Sequence, residues 1–437
     1  MALNTRETVA QTKEIGLHFP AWLGRGLRPA ALLGVLGLIG TGLSPSAYVA
    51  RAVAPGGQPL GPTSQALQAA PAANAVSPAP TEAPPTAVSD VALSTAAPTA
   101  ATGRTAPVAA GAAANSYIHY YLWWSTQHWH DKLGSAYPYG ANPLPQPGST
   151  DATSCNPKIS YPGATIVDLP SEGLYNQDLA STYDLHIATA AAAGVRGFVV
   201  SWMGDGTANQ NASSANFSTR LAMLTSRVHL YNGTHARPFG LALGMSPYGN
   251  YSRPASAIVN DLNYFARSYS ADPAFGNAFS SRPLVMLLDS RKFSPGILAA
   301  VSAAVRTKLF LLGDETASSW PKNGPLLDGT SYYWSSENPS KYTRASLVSL
   351  GNQVHAAGKL WFSPFTAGFG NQLRGGTCVP RNGVATLDAA WAGNRASGPD
   401  AWMGISWNEF VENTFLEPTR AYGTTYLDEL RRLIAAG

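Results

Sequence analysis

The sequence is poor in charge: Asp, Glu, Lys and Arg make up only 12% of its 437 residues, and the formal net charge is +4. That excludes a protein whose affinity rests on neutralising a polyanion, so no nucleic-acid partner is expected. Cysteine is almost missing, with Cys155 and Cys378 alone. Two cysteines without CxxC spacing, among scattered histidines, give no zinc pattern, so neither a metal nor a cofactor is expected. The apolar run Ala30 to Leu43 has only 14 residues, short of the roughly 20 that cross a bilayer core. Between Val53 and Asn115 there is no aromatic residue at all.

What is present divides the chain into three. In residues 1–52, Arg25 and Arg28 precede that apolar run, and Ala50 and Ala52 frame an Ala-x-Ala site. The segment reads as a secretory signal cleaved near Ala52, with an uncleaved N-terminal anchor as the alternative. Residues 53–115 hold 21 Ala and 10 Pro in 63 positions, too little buriable surface to offset the ordering of the backbone, so a disordered tether is expected there. Residues 116–437 carry ten of the eleven Trp and read as one folded domain, secreted or held at the cell surface and monomeric. In an exported protein Cys155 and Cys378 are expected to form one disulfide between two surface loops.

Within 116–437, apolar strand-like runs lie at Tyr117–Trp124, Val195–Trp202, Pro238–Met245, Pro283–Asp289, Lys308–Leu312, Asp328–Trp334, Lys359–Pro364 and Ala401–Trp407. Helix-like stretches separate them: Leu179–Ala193, Asn216–Leu230, Pro254–Ser270, Ser294–Thr307, Thr343–Ala357, Thr386–Arg395 and Thr424–Ala436. The alternation predicts an α/β fold, a single (β/α)8 TIM-type barrel, although only a short helix fits between Leu312 and Asp328. An open doubly wound sheet is the alternative, without the Gly-rich phosphate loop it prefers after the first strand.

In such a barrel the chemistry sits just beyond the C-terminal ends of the strands. Those positions hold His128, Trp129 and His130; Asp205; Ser246, Pro247 and Tyr248; Asp289; Asp314; Tyr332 to Trp334; Phe365 to Gly370; and Asn408 to Glu417. The last group places Glu409, Glu412 and Glu417 within nine positions. Glu409 and Glu412, three apart, would face the same way in one helical turn and supply the paired carboxyls of glycosidic-bond hydrolysis; surface or capping carboxylates are the alternative. His128 and Trp129 are read as sugar-binding. Trp202, Tyr248 and Tyr332 are read as subsite or core residues, His186 as a structural histidine, and Arg381 as a structural partner of Glu417 rather than of an acidic substrate group.

The stretch Ile405 to Pro418 (ISWNEFVENTFLEP) resembles the [ST]-[FW]-N-E-W-x-E-G-T-x-[IL]-E-P signature of glycoside hydrolase family 99, the endo-α-mannosidases, and of related cell-wall-polysaccharide proteins of the WbsX type. Three further blocks agree in order: HYYLWWSTQHWHDK with its Y-Y-x-W and H-W, Leu174 to Gly204 with its H-x-x-x-A-x-x-A-G segment ending V-S-W, and LLDGTSYYW with its D-G block. The resemblance implies a (β/α)8 barrel that cleaves α-linked mannosides with retention. By position in the signature, Glu412 is the general acid/base and Glu409 the base on the sugar 2-hydroxyl. Trp407 and Asn408 support them, and Tyr121, Trp124, His128 and Trp129 fall in the opening substrate-binding block.

The chain also departs from the pattern. Ser246 stands where the family has Glu before Pro-Tyr, and Phe410, Val411 and Asn413 replace Trp, His and Gly. Three readings follow: an exported, tethered glycosidase acting on an α-linked glycan or polysaccharide, a non-catalytic carbohydrate-binding surface protein, and a component of polysaccharide assembly.

Overall fold

A computed structural model describes residues 111–149, 155, 158–204, 212–245, 253–333, 344–370 and 376–437. The signal segment, nearly all of the tether, and Asp205, Ser246, Pro247, Tyr248 and Trp334 lie outside the described residues.

Eight parallel strands close into a barrel: Ser116–Tyr120, Gly197–Trp202, Gly240–Met245, Leu284–Leu287, Phe310–Asp314, Gly329–Ser331, Leu360–Thr366 and Ala401–Ile405. Each pairs with its sequence neighbour, and closure comes from the first strand, which pairs with the second at Tyr117↔Gly197 and with the eighth at Tyr117↔Met403. The eight apolar runs are therefore the eight strands. The open-sheet alternative fails because no edge is left unpaired. Alternation along the first strand sorts its side chains. Tyr117 and Tyr121 join the bore with Val199, Met286, Leu312, Phe362 and Met403. Ile118 and Tyr120 point outward into the layer between barrel and helices. Each fully buried Phe or Leu of these layers contributes about 1.5–3 kcal/mol. Close strand packing also uses missing side chains: a Cβ on Gly197 would lie 2.2 Å from the Gly240 carbonyl oxygen.

The expected helices form at Ala180–Ala192, Ala212–Asn232, Ala255–Tyr269, Pro295–Val305, Arg344–Ala356, Ala385–Arg395 and Thr425–Ala435. The fifth unit is indeed short, one turn at Trp320–Asn323. Two features depart from the sequence reading. A helix at Thr126–Leu133, capped by Ser125 Oγ accepting from His128 N (3.1 Å), follows the first strand and is not among the helix-like stretches read from the sequence. Just before the first strand, Ala112–Asn115 forms a 3₁₀ turn with Ala112 and Ala113 buried, pinned by Ser116 Oγ donating to Ala113 O. Cys155 and Cys378 are joined in a disulfide.

His119 lies in the bore, 2% exposed, with its ring edge-on to Tyr333 at 4.8 Å. Burial lowers its pKa from 6.5 to about 3, so it is neutral in the fold. The unfolded chain gains a proton below about pH 6.5 that the folded one refuses, so this contribution to stability is complete above pH 6.5 and is lost as pH falls. Urea unfolding at pH 7 and pH 5 is expected to show parent and His119→Gln drawing closer by about 2 kcal/mol at the lower pH. An unchanged gap would contradict a buried neutral His119.

Candidate active site

The eighth strand ends at Ile405 and delivers Trp407 to Glu417 to the C-terminal mouth of the barrel. The Trp407 backbone is knotted in place: its N–H donates to His119 O (2.7 Å), and its carbonyl accepts from Leu416 and Glu417 N–H (3.1 Å each). Asn408 is fully buried and spends its amide on the first strand's extension. Its Oδ1 accepts from Tyr121 N–H (2.8 Å), its Nδ2 donates to Tyr121 O (3.0 Å), and its backbone carbonyl accepts from the Trp124 indole (2.7 Å). Gln177 completes the cradle, donating to Tyr121 O and accepting from Trp124 N–H, both at 2.8 Å. Two amide side chains thus do for Tyr121 to Trp124 what a neighbouring strand does lower down.

The two candidate carboxyls follow at once. Glu409 is 4% exposed; its N–H donates to Ser406 Oγ (3.0 Å), and its own Oε1 accepts from Val411 N–H (2.9 Å). Glu412 is half-buried, and its carbonyl accepts from Gly370 N–H (2.8 Å). The expected helical turn is instead a tight turn, closed by Asn413 N–H donating to Phe410 O (3.3 Å), with Asn413 at φ 53°. That left-handed conformation suits Gly or Asn, which explains how Asn413 stands where the resembled signature has Gly. Gly370 belongs to a two-stranded pair, Phe369–Gly370 against Cys378–Val379, so the disulfide anchors the pair whose Gly370 N–H holds the Glu412 carbonyl.

Arg381 departs from expectation. It is fully buried, and no carboxylate pairs with it among the described residues. Its Nη2 donates to the carbonyls of Asn413 and Phe415 (2.8 Å each), and its guanidinium sits 4.3, 5.2 and 4.5 Å from the ring centres of Phe415, Tyr422 and Tyr426. Partial negative charge on carbonyls and ring faces takes the place of the Glu417 carboxylate. The cation therefore braces the turn bearing Glu412 from behind.

Other candidates separate into mouth and support. Tyr121 lies in the bore, its hydroxyl bonded to that of Tyr333. Trp124 and Trp129 are fully buried, stacked at 4.0 Å; the Trp129 indole donates to Tyr175 O (2.8 Å), so both hold the loop from within. His128 is 8% exposed and edge-on to Trp124. Burial, then Lys132 and Arg220, lower its pKa to about 3, which leaves a neutral imidazole. Trp202 is fully buried, its indole donating to Ser218 Oγ (3.1 Å) in the helix layer. Tyr332 is buried under Arg291, whose guanidinium is 5.2 Å from the ring centre, and Trp407 is buried against Phe198 and His186. These three support the wall from the outer side rather than forming its surface.

Sequence reasoning passed over Trp123, which is half-buried, stacked on Tyr121 at 4.3 Å and 6.0 Å from His128. A partly exposed apolar ring face just beyond a strand end is the kind of surface on which a pyranose stacks. The signal was the doubled Trp of YYLWW, of which the buried member had been chosen. Asp289 and Asp314 are clamps. Asp314 accepts from the N–H groups of Asp289 (2.8 Å) and Tyr333 (3.0 Å) and pairs with Arg291 (2.7 Å). Burial lifts its pKa to about 6 against the pull of Arg291.

The fold is that of a (β/α)8 barrel with its acidic loop after the eighth strand. Among solved structures the chain is similar to the GH99 endo-α-mannosidase from Bacteroides thetaiotaomicron, at 17% identity and TM-score 0.56, over 74% of this chain and 97% of that one. The structure of that enzyme in complex with bis-tris-propane gives 18%, 0.55 and the same coverage. A glycoside hydrolase-like protein follows at 16%, 0.51, and 61% and 89% coverage. At these identities the likeness establishes the fold. No family model matches the sequence, and no curated protein matches it.

Because Asn408 satisfies both backbone groups of buried Tyr121, Asn408→Ala is expected to lower unfolding stability by about 2–4 kcal/mol in urea melts followed by Trp fluorescence. A loss below about 1 kcal/mol would show that the cradle is dispensable.

Proposed function

We propose that the protein is an exported glycoside hydrolase that cleaves α-linked glycans or polysaccharides, with an α-mannoside as the first substrate to test. The observation that carries this reading is the pair Glu409 and Glu412 on one braced turn beyond the eighth strand, a turn tied through Asn408 to Tyr121, on which the half-buried Trp123 stacks. The neighbouring structures named as endo-α-mannosidases support the substrate class. The disulfide supports export, since such bonds persist in oxidising compartments. The segment 1–52 is then a signal or anchor, and the Ala/Pro-rich stretch after it a tether.

In this reading Glu412, the more accessible carboxyl, protonates the leaving oxygen and later takes a proton from water. Glu409 acts as base on the sugar 2-hydroxyl, whose oxygen attacks the anomeric carbon. The resulting 1,2-anhydro sugar is opened by water, and configuration is retained. Glu409 suits that role because its Oε1 is tied to Val411 N–H, which fixes the carboxylate's direction.

The test is hydrolysis of α-mannans, α-glucans and activated α-glycosides by the full chain beside Glu409→Gln and Glu412→Gln. The parent is expected to release sugar, with kcat/KM lower by at least about 100-fold in each variant. Activity that survives in both variants would remove the two Glu from the mechanism. Binding of sugar without turnover in the parent would point to a non-catalytic carbohydrate-binding protein.

A further inference from the structure

Behind Asn408 lies a second set of ionisable groups that the proposed chemistry does not use. Glu172, from the loop before the helix Ala180–Ala192, His186, from that helix, and Glu417, from beyond the eighth strand, bring one ligand-type atom each to within 4.8 Å of one another. His186 Nε2 is 2.6 Å from Glu172 Oε1 and 3.3 Å from Glu417 Oε2. No other group of this kind forms among the described residues.

We propose that Glu172, His186 and Glu417 form a binding site for one divalent transition-metal ion, with zinc as the probe. Imidazole and carboxylate are the donor types such ions take together, and three protein ligands leave a position for water. The groups that would orient the ligands are already in place. His186 Nδ1 is hydrogen-bonded to the Tyr120 hydroxyl (2.8 Å), which directs Nε2 at the two carboxyls. Glu417 Oε1 accepts from the Tyr175 hydroxyl (3.0 Å). Partners of this kind fix the tautomer and direction of metal ligands elsewhere.

Electrostatics favour a cation as well. Glu417 is 2% exposed, and its carboxyl and that of Glu172 both face His186 Nε2. A dication between the two carboxyls offsets their like-charge repulsion. The Glu172 side chain is 23% exposed, which gives the ion a way in. Bound there, the ion joins the Glu172–His186 region to Glu417, 231 positions beyond His186. It also touches the active-site loop through Tyr175, whose hydroxyl accepts from Asn408 Nδ2 (3.3 Å).

The test is calorimetric titration of the EDTA-dialysed full chain with zinc chloride, beside Glu172→Gln and His186→Gln, with thermal unfolding as the check on folding. The Gln at 172 keeps the shape and the hydrogen bond while removing the charge, at a partly exposed position that a folded variant tolerates. The expected result is one equivalent of zinc bound with Kd below about 10 μM, weakened at least about 10-fold by Glu172→Gln. Saturating zinc is expected to raise the parent's Tm by about 3 °C or more. Binding weaker than that, or one equivalent unaffected by Glu172→Gln in a folded variant, would reduce the cluster to a hydrogen-bonded triad and overturn the site. The outcome is independent of glycosidase activity.

Discussion

The mouth of this barrel depends on one residue pair, Asn408 and Tyr121. Below it, the first and eighth strands hold each other by backbone pairing that ends at Ile118↔Gly404. Above it, the Asn408 amide substitutes for the missing ladder and fixes Tyr121, and through its carbonyl fixes Trp124. Two elements at the mouth are referred to that join: Trp123 stacks on Tyr121, and the turn with Glu409 and Glu412 starts one residue after Asn408. A buried amide with every group matched is worth far more as a constraint than as net stability, because each alternative position leaves polar groups unpaired.

The turn is then braced from three sides. Ser406 Oγ and Val411 N–H hold Glu409, the hairpin tied by Cys155–Cys378 holds the Glu412 carbonyl, and Arg381 holds the carbonyls of Asn413 and Phe415. None of these contacts uses a part of the carboxyls that a substrate needs, save the single bond to Glu409 Oε1. Rigid support of the backbone that carries them is what general acid and base work requires, since reacting atoms misplaced by an ångström lose much of the rate.

The fold was legible because each strand is a short apolar run and each covering helix has its own period, so eight alternations stand out against a charge-poor background. The short fifth unit is visible as a gap that one turn at Trp320–Asn323 fills. Periodicity could not reveal which member of an adjacent aromatic pair is buried. Trp123 and Trp124 have the same composition and differ only in which way the post-strand segment is turned, a matter settled by Asn408 and Gln177 from distant parts of the chain. Trp202 and Tyr332 stayed open between subsite and core for a related reason: a residue near a strand end faces either the mouth or the helix layer, and one step of alternation decides between them. Arg381 misled differently, because charge pairing was expected where carbonyls and ring faces serve. Glu172, His186 and Glu417 are separated by 14 and 231 positions, a spacing that no local pattern detects.

The most direct test of the account is a crystal structure of the Glu412→Gln full chain soaked with an α-linked mannotrioside. The account places a sugar ring on the face of Trp123, with its 2-hydroxyl within hydrogen-bond distance of Glu409 and a glycosidic oxygen within that distance of residue 412. A sugar bound elsewhere on the barrel, or one at the mouth that meets neither side chain, would contradict it.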